Sequence, residues 1–363
     1  MKRKTNDADT FTVLPLLSDY AAAAGLSLMD DRSILSFTER LTQSLRTHLK
    51  NPARIYGLRT EAMFAYVAAA LDRCQLITQE DAGTFFARAP SMRRPDFRVI
   101  TRDKEEFLVE VKNFHQGNPL APYKVAGDYA TSLQRYAKLM RRRLMLAVYW
   151  SRWGIWTLVD FAHLSLGGYL AMGDALRKNE MGLLGDCMVS TVPPLSLRFT
   201  ADPTKPRTIH EDGHGACTIG RADLCANGQV IEDALEKKLA WFFMLYGQWT
   251  EIEQPANVKD GKLEYFEITA NPPEPPEGQP FSSLGFLSQM ISRQYIEITS
   301  DSGDVKFLTP DREPENLGVL IPKDYKGEVL KLWRFQMLPN LKDVPKMESS
   351  QEGPQGKTLP RAP

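Results

Sequence analysis

Apolar residues fall at helical spacing in some stretches of the chain and in short continuous runs in others. Ile34, Phe37, Leu41 and Leu45 recur every three or four residues, which predicts a helix over 33–50. Met63, Val67, Ala70 and Leu71 form one stripe of an alanine-rich segment and predict a second helix over 58–74. Short strands are predicted at 84–87, 97–101 and 107–111, the last two joined by the polar turn Arg102-Asp103-Lys104-Glu105. Tyr129, Leu133, Ala137 and Met140 predict a helix over 128–142, with Asp128 as its N-cap. The runs at 144–150 and 155–159, separated by Gly154, read as two more strands. Helix, three strands, helix, strand is the order of an α/β layer architecture.

The second half is less regular. Asn227-Gly228 between apolar runs signals a hairpin, and Leu235, Leu239, Phe242 and Phe243 predict a helix over 231–246. A short helix at 284–292, then strands at 295–298 and 305–308 around Ser-Asp-Ser-Gly, suggest an α+β region, winged-helix-like in order. Proline-rich breaks fall near 192–194, 202–203 and 271–276. The expected organisation is a flexible N-terminus (1–12), a first domain (13–200), an α+β recognition or partner-binding domain (201–339) and a disordered tail (340–363) rich in Pro, Gly, Ser and charge.

Composition narrows the function. The 45 basic and 45 acidic residues cancel, so any grip on nucleic acid must come from local patches. No apolar run approaches the ~20 residues that span a bilayer, and no signal-peptide core follows the basic start. Four cysteines in 363 residues do not make a disulfide scaffold. The expectation is a cytoplasmic globular protein with no membrane partner.

The chemistry gathers at the predicted hairpin. A turn centred on 102–105 sets Asp96 across the ladder from Glu110, with Cβ atoms ~5 Å apart. Glu110 and Lys112 are two apart and share one face of their strand. Two carboxylates beside an ammonium can hold Mg²⁺ or Mn²⁺ with coordination positions open to a phosphate, while the lysine offsets transition-state charge or helps activate water. The bland alternative is a surface salt-bridge lattice on a hairpin.

Pro95-Asp96, thirteen residues, then Glu110-Val111-Lys112 resembles the signature of the PD-(D/E)xK nuclease superfamily, over roughly residues 33–160. The resemblance implies a restriction-endonuclease-like αβββαβ core, in which a mixed sheet is flanked by helices. It implies an endonuclease using Mg²⁺ or Mn²⁺ on DNA, in restriction, antiviral defence or repair, with RNA left open. It also implies a third metal carboxylate, Glu61, near the start of the 58–74 helix, and a polar site residue, Gln134, on the 128–142 helix. The Gln-x-x-x-Tyr of the RecB-like subgroup is not met, because position 138 is lysine.

Two basic patches flank the site. Arg93 and Arg94 lie in the first, and Arg135, Arg141, Arg142 and Arg143 in the second; all six are candidate phosphate contacts. The alternative for Arg141 to Arg143 is capping of a helix C-terminus. His210, His214, Cys217 and Cys225 contain zinc-ligand types, but their spacing fits no common zinc module, and metal-free side chains are expected there. A second functional hypothesis is a non-catalytic DNA-binding or complex-assembly protein built on a degenerate nuclease fold. A partner protein or a homo-oligomer is compatible with either.

Overall fold

The apolar run at 144–150 becomes the strand around which the sheet is built. The structure is a computed structural model that describes residues 1, 13–80, 85–88, 91–165, 167–211, 214–253, 256–274, 277–311, 313–314, 321–322 and 324–340. The expected flexible N-terminus and disordered tail lie almost wholly outside the described residues. The chain opens with α1 (Leu14–Ala24), α2 (Asp31–Leu49) and α3 (Pro52–Ala70), then β1 (Cys74–Gln79), β2 (Phe97–Thr101), β3 (Glu106–Phe114), β4 (Tyr123–Lys124), α4 (Gly127–Met140), β5 (Arg143–Trp150) and β6 (Ile155–Asp160). These strands form one mixed sheet in the order β1-β2-β3-β5-β6, antiparallel except for the parallel pair β3 and β5. The expected mixed α/β architecture, a mixed sheet flanked by helices, is therefore present.

β5 is buried on both faces, which is why its sequence is apolar throughout. Leu144, Leu146, Val148 and Trp150 pack with Leu133, Tyr136 and Ala137 of α4. Met145, Ala147 and Tyr149 join Phe64 and Val67 of α3 on the opposite face. The chain continues through β7 (Tyr169–Leu170), α5 (Met172–Arg177), β8 (Met188–Thr191), β9 (Leu195–Ala201), β10 (Arg207–Ile209), β11 (Gly215–Cys217), β12 (Ile219–Ala226), β13 (Gln229–Val230) and α6 (Ala234–Tyr246). It then forms β14 (Thr250–Glu253), β15 (Asn257–Lys259), β16 (Lys262–Asn271), β17 (Ser282–Phe286), α7 (Leu287–Thr299), β18 (Ser300–Asp301), β19 (Asp304–Val305) and β20 (Leu332–Phe335). A second sheet runs β13-β12-β9-β16-β14, with β15 also on β16.

Several boundaries differ from the sequence reading. α3 starts at Pro52, six residues earlier than predicted, because Asn51 accepts from the Arg54 N–H and Pro52 fixes the first helical φ. Ala126, not Asp128, caps α4; Asp128 sits in its first turn. The first core strand is 74–79 rather than 84–87. It is a sheet-edge strand with only Cys74 fully buried, so its alternation is faint, whereas Phe86 stands wholly exposed outside any strand. Residues 295–298 are helical, continuing α7, because Met290, Ile291, Tyr295 and Thr299 bury at helical spacing. The two-residue strands β18 and β19 follow directly, in place of the expected strand at 305–308. The Asn227-Gly228 turn does join β12 to β13, both residues having positive φ.

A boundary at residue 200 would cut β9. The core is continuous across it: α7 packs on α3 and β6, Trp156 Nε1–H donates to Ser292 Oγ (2.9 Å), and Arg59 donates to Thr299 Oγ1 (2.9 Å) and Ser300 Oγ (2.6 Å). No helix among the described residues is long and apolar enough to cross a membrane.

Phe64 is fully buried against Phe97 (5.6 Å between centroids) and Trp156 (5.7 Å). Phe64→Ala is expected to cost ~3–5 kcal/mol in denaturant unfolding, and Phe86→Ala less than ~0.5 kcal/mol. Equal costs would contradict this packing.

Candidate active site

The β2–β3 hairpin sets the geometry. Phe97 pairs with Val109, Arg98 with Leu108, Val99 with Phe107 and Ile100 with Glu106, the register expected from the turn. Asp96 stands one residue before this ladder. One oxygen of its carboxylate accepts the Val111 N–H at 2.6 Å, which fixes the side chain against β3. Glu110 and Lys112 project together from the face of β3 that α4 covers, and Lys112 Nζ pairs with Glu110 Oε1. The Tyr129 hydroxyl donates to the same oxygen, and Lys112 Nζ sits 5.1 Å from the Tyr129 ring centroid.

Glu110 is 1% exposed, and its other oxygen, Oε2, is buried with no hydrogen-bond partner. An orphaned carboxylate oxygen is costly inside a protein, and native structures leave few of them. Asp96, also buried, has its pKa pushed up to about 8, first by burial, then by the Glu110 charge and, more weakly, by Glu61; Lys112 and the Val111 N–H oppose the shift. Burial works against the Lys112 ammonium, but Glu110 and Asp96 outweigh it and hold the pKa above the ordinary lysine value. Burial and the Glu110 charge push the Tyr129 phenol up as well. The Tyr123 phenol is raised mainly by burial, and feels Lys112, Glu110 and Asp96 in turn.

The structure brings Asp96, Glu110 and Lys112 together. Glu61 is half-buried in the middle of α3, not at its start, so a helix N-terminus does not account for it. Its charge reaches Asp96, yet among the described residues no three His, Cys, Asp or Glu side chains gather as a metal-holding group. Asp96 and Glu110 are thus the carboxylates that share the Lys112 charge, and Glu61 acts on Asp96 through its charge. Gln134 lies on the exposed side of α4, and Tyr129 is the residue of that helix that reaches Glu110.

The parallel crossover explains this correction. A helix between two parallel strands runs back against them, so its first turn lies over the C-terminal end of the preceding strand. That end of β3 carries Glu110 and Lys112. Tyr129 was legible only as the first member of an apolar stripe, and Tyr123 of β4 had no signal. The same geometry removes Arg141, Arg142 and Arg143 from the site, because α4 carries its C-terminus ~21 Å away. Arg143 pairs with Phe107, at the far end of β3. Arg142 is paired with Glu106 (2.7 Å), and Arg143 with Asp160 (2.9 Å) and Glu180 (2.8 Å); Arg141 is an exposed left-handed C-cap.

Arg93 stays close, its guanidinium 5.3 Å from the Tyr129 ring centroid. Arg94 lies over Phe85 at 4.7 Å, and Arg135 donates to Ser91 Oγ. Between His210 and Cys225, the His210 N–H donates to the His214 carbonyl across a hairpin, Cys217 ends β11 and Cys225 is buried in β12, and no metal-holding group of three forms among the described residues. No family model matches the chain, and a search of curated proteins gives no match.

With no divalent cation present, ionisation of Asp96 opposes folding. The unfolded carboxyl loses its proton near 3.8, whereas the folded one keeps it up to about 8. The native state therefore binds more protons between those values, and stability falls as pH rises through that window. Thermal melts of metal-free protein are expected to show a lower Tm at pH 8 than at pH 5, with Asp96→Asn raising the pH 8 value by about 2–4 °C. An unchanged pH slope in Asp96→Asn would contradict this electrostatic account.

Proposed function

We propose that the chain is a metal-dependent nuclease with a restriction-endonuclease-like core that hydrolyses a phosphodiester bond in nucleic acid, DNA being the expected substrate. The observation that carries this reading is the buried, unpartnered Glu110 Oε2 beside a second buried carboxylate whose ionisation is suppressed. Two such groups oppose folding until a cation joins them, and hard carboxylate oxygens suit Mg²⁺ or Mn²⁺. Glu110 through Oε2 and Asp96 through the oxygen not held by Val111 would hold the ion. When bound, it supplies Lewis-acid activation of the phosphodiester.

The protein's own groups divide the remaining work. The Val111 N–H orients Asp96. Tyr129 and Lys112 together fix Glu110 by its other oxygen. Lys112, held above the ordinary lysine pKa, stays an ammonium; it serves as a fixed charge for the phosphorane-like transition state rather than as a base. Arg93, Arg94 and Arg135 are the candidate backbone contacts on the site side. A non-catalytic role has one observation in its favour: Glu110 Oε1 is already occupied and the side chain is almost wholly buried.

The deciding assay offers plasmid, linear and single-stranded DNA and RNA to the protein with Mg²⁺ or Mn²⁺. Cleavage that Asp96→Asn abolishes is expected; binding without cleavage on every substrate favours the non-catalytic role. Lys112→Ala should lower single-turnover cleavage by ~10²-fold with little change in binding affinity. Lys112→Arg should not support cleavage either, because the guanidinium is bulkier, planar and spreads its charge, so it does not place a compact cation where Lys112 Nζ stands. Equal losses of rate and affinity would remove Lys112 from the chemistry.

Salt dependence tests the patches separately. Arg93→Ala with Arg94→Ala should shallow the log–log salt slope of binding by ~0.9 per lost contact. Arg142→Ala with Arg143→Ala should leave it unchanged, since those side chains serve Glu106, Asp160 and Glu180.

A further inference from the structure

Beyond the end of β3 the chain returns to the face that carries Glu110 and Lys112. Phe114 stands two residues after Lys112 and shares that face. Its ring meets Trp150 edge-on at 5.4 Å and the Tyr123 ring of β4 at the same distance. Tyr123 is thereby packed one step along β3 from Lys112.

β4 has two residues, so its position is fixed by what it pairs with. Tyr123 lies opposite Leu170 of β7 and Lys124 opposite Tyr169. The Val125 N–H donates to the Gly168 carbonyl at 3.0 Å. Gly168 has a φ of +78°, and a Cβ there would lie 2.7 Å from the Val125 carbonyl oxygen, so glycine is what lets the two backbones come this close. Ser165 closes the turn: its N–H and its hydroxyl both donate to the Tyr169 carbonyl, at 3.1 and 2.7 Å. On the exposed side, Lys124 Nζ sits 5.1 Å from the Tyr169 ring centroid. The two short strands make a clip, held by its own hydrogen bonds, that presents one phenol to the carboxylate pair.

Lys112, Glu110 and Asp96 all act electrostatically on that phenol. Its hydroxyl nevertheless bonds to no described residue, whereas Tyr129 gives its hydroxyl to Glu110. Burial holds the Tyr123 phenol above the ordinary tyrosine pKa, so near neutral pH it is a neutral donor and neither a base nor a nucleophile. The other donors of the site are engaged: Lys112 Nζ pairs with Glu110 and reaches the Tyr129 hydroxyl at 3.4 Å. A neutral O–H can bond a phosphate oxygen without competing for the cation that the carboxylates would hold, and Lys112 and Lys124 on either side of it favour an anionic acceptor. We propose that Tyr123 contacts the substrate, its hydroxyl donating to a non-bridging oxygen of the scissile phosphodiester while the β4–β7 clip fixes the ring. The identity of the ligand rests on the nuclease reading above.

The test compares the full wild-type chain with Tyr123→Phe. Binding is read with fluorescein-labelled single- and double-stranded DNA and RNA oligonucleotides, with Ca²⁺ in place of Mg²⁺, and cleavage is read separately under single-turnover conditions with Mg²⁺. Tyr123→Phe is expected to bind ~5-fold more weakly and to cleave ~10-fold or more slowly. Its Tm should stay within ~1 °C of the wild type, because the lost hydroxyl bonds nothing in the protein. Phosphorothioates of each hand at the cleaved bond add a readout that packing would not move: one isomer should slow the wild type and slow Tyr123→Phe by less, since the contact to that oxygen is already gone. Equal binding and equal cleavage by the two proteins would overturn the Tyr123 contact and leave the nuclease reading standing. Weaker binding by Tyr123→Phe, with cleavage by neither protein, would support the contact and overturn the nuclease reading. A Tm several degrees lower, sulfur effects that simply multiply with the mutation for both isomers, or a wild type that binds none of the oligonucleotides would each overturn the proposal.

Discussion

Two carboxylates, Asp96 and Glu110, are held side by side and almost wholly buried, and much of the surrounding architecture is what makes that arrangement possible. Asp96, one residue before β2, and Glu110 of β3 sit at the end of a hairpin whose register is locked by the core residues Phe97, Val99, Phe107 and Val109. Left alone, the pair repels itself, raises one pKa and leaves Glu110 Oε2 orphaned. Lys112 and the Val111 N–H offset part of that cost, and the packed sheet supplies the rest. Proteins keep such an electrostatically strained cluster where a ligand repays it.

The sheet serves this cluster in two ways. β5, buried on both faces, anchors β3 as its parallel neighbour and fixes where the face with Glu110 and Lys112 lies. The crossover helix α4 then lays its first turn over that face, so Tyr129 closes the site and clasps the oxygen that Lys112 also holds. The opposite face carries α3, with Glu61 near enough for its charge to act on Asp96. α7, from the far half of the chain, packs behind α3, so residues beyond 280 stabilise the layer that positions Glu61.

Much of this was legible in the sequence, for stated physical reasons. A polar turn between two apolar runs fixes hairpin register because the side-chain period is two, and the observed pairing follows that arithmetic. The helix stripe at 128–142 and the all-apolar run at 144–150 were equally plain. Other features were hidden by tertiary context. The edge strand at 74–79 buries too little to show alternation, and the helix through 295–298 alternates locally as a strand would. Gln134 came from the resemblance and Arg141 to Arg143 from flanking the hairpin in sequence, but Gln134 falls on the exposed side of α4, and a crossover helix that runs antiparallel to its parallel strands carries its C-terminus away from the strand end that holds Glu110 and Lys112. α2 misled in another way: its stripe gave the helix correctly, but an apolar stripe by itself does not say which side is buried, and Ile34, Leu41 and Leu45 stand exposed.

The central claim is that the Asp96–Glu110 pair is built for a divalent cation. Its most direct test is Mn²⁺ binding at pH 8, followed by electron paramagnetic resonance of free Mn²⁺, in the wild-type chain and in Glu110→Gln. The account predicts saturable binding by the wild type and its loss in Glu110→Gln, with both proteins folded. Equal binding by the two, or none by the wild type, would contradict it.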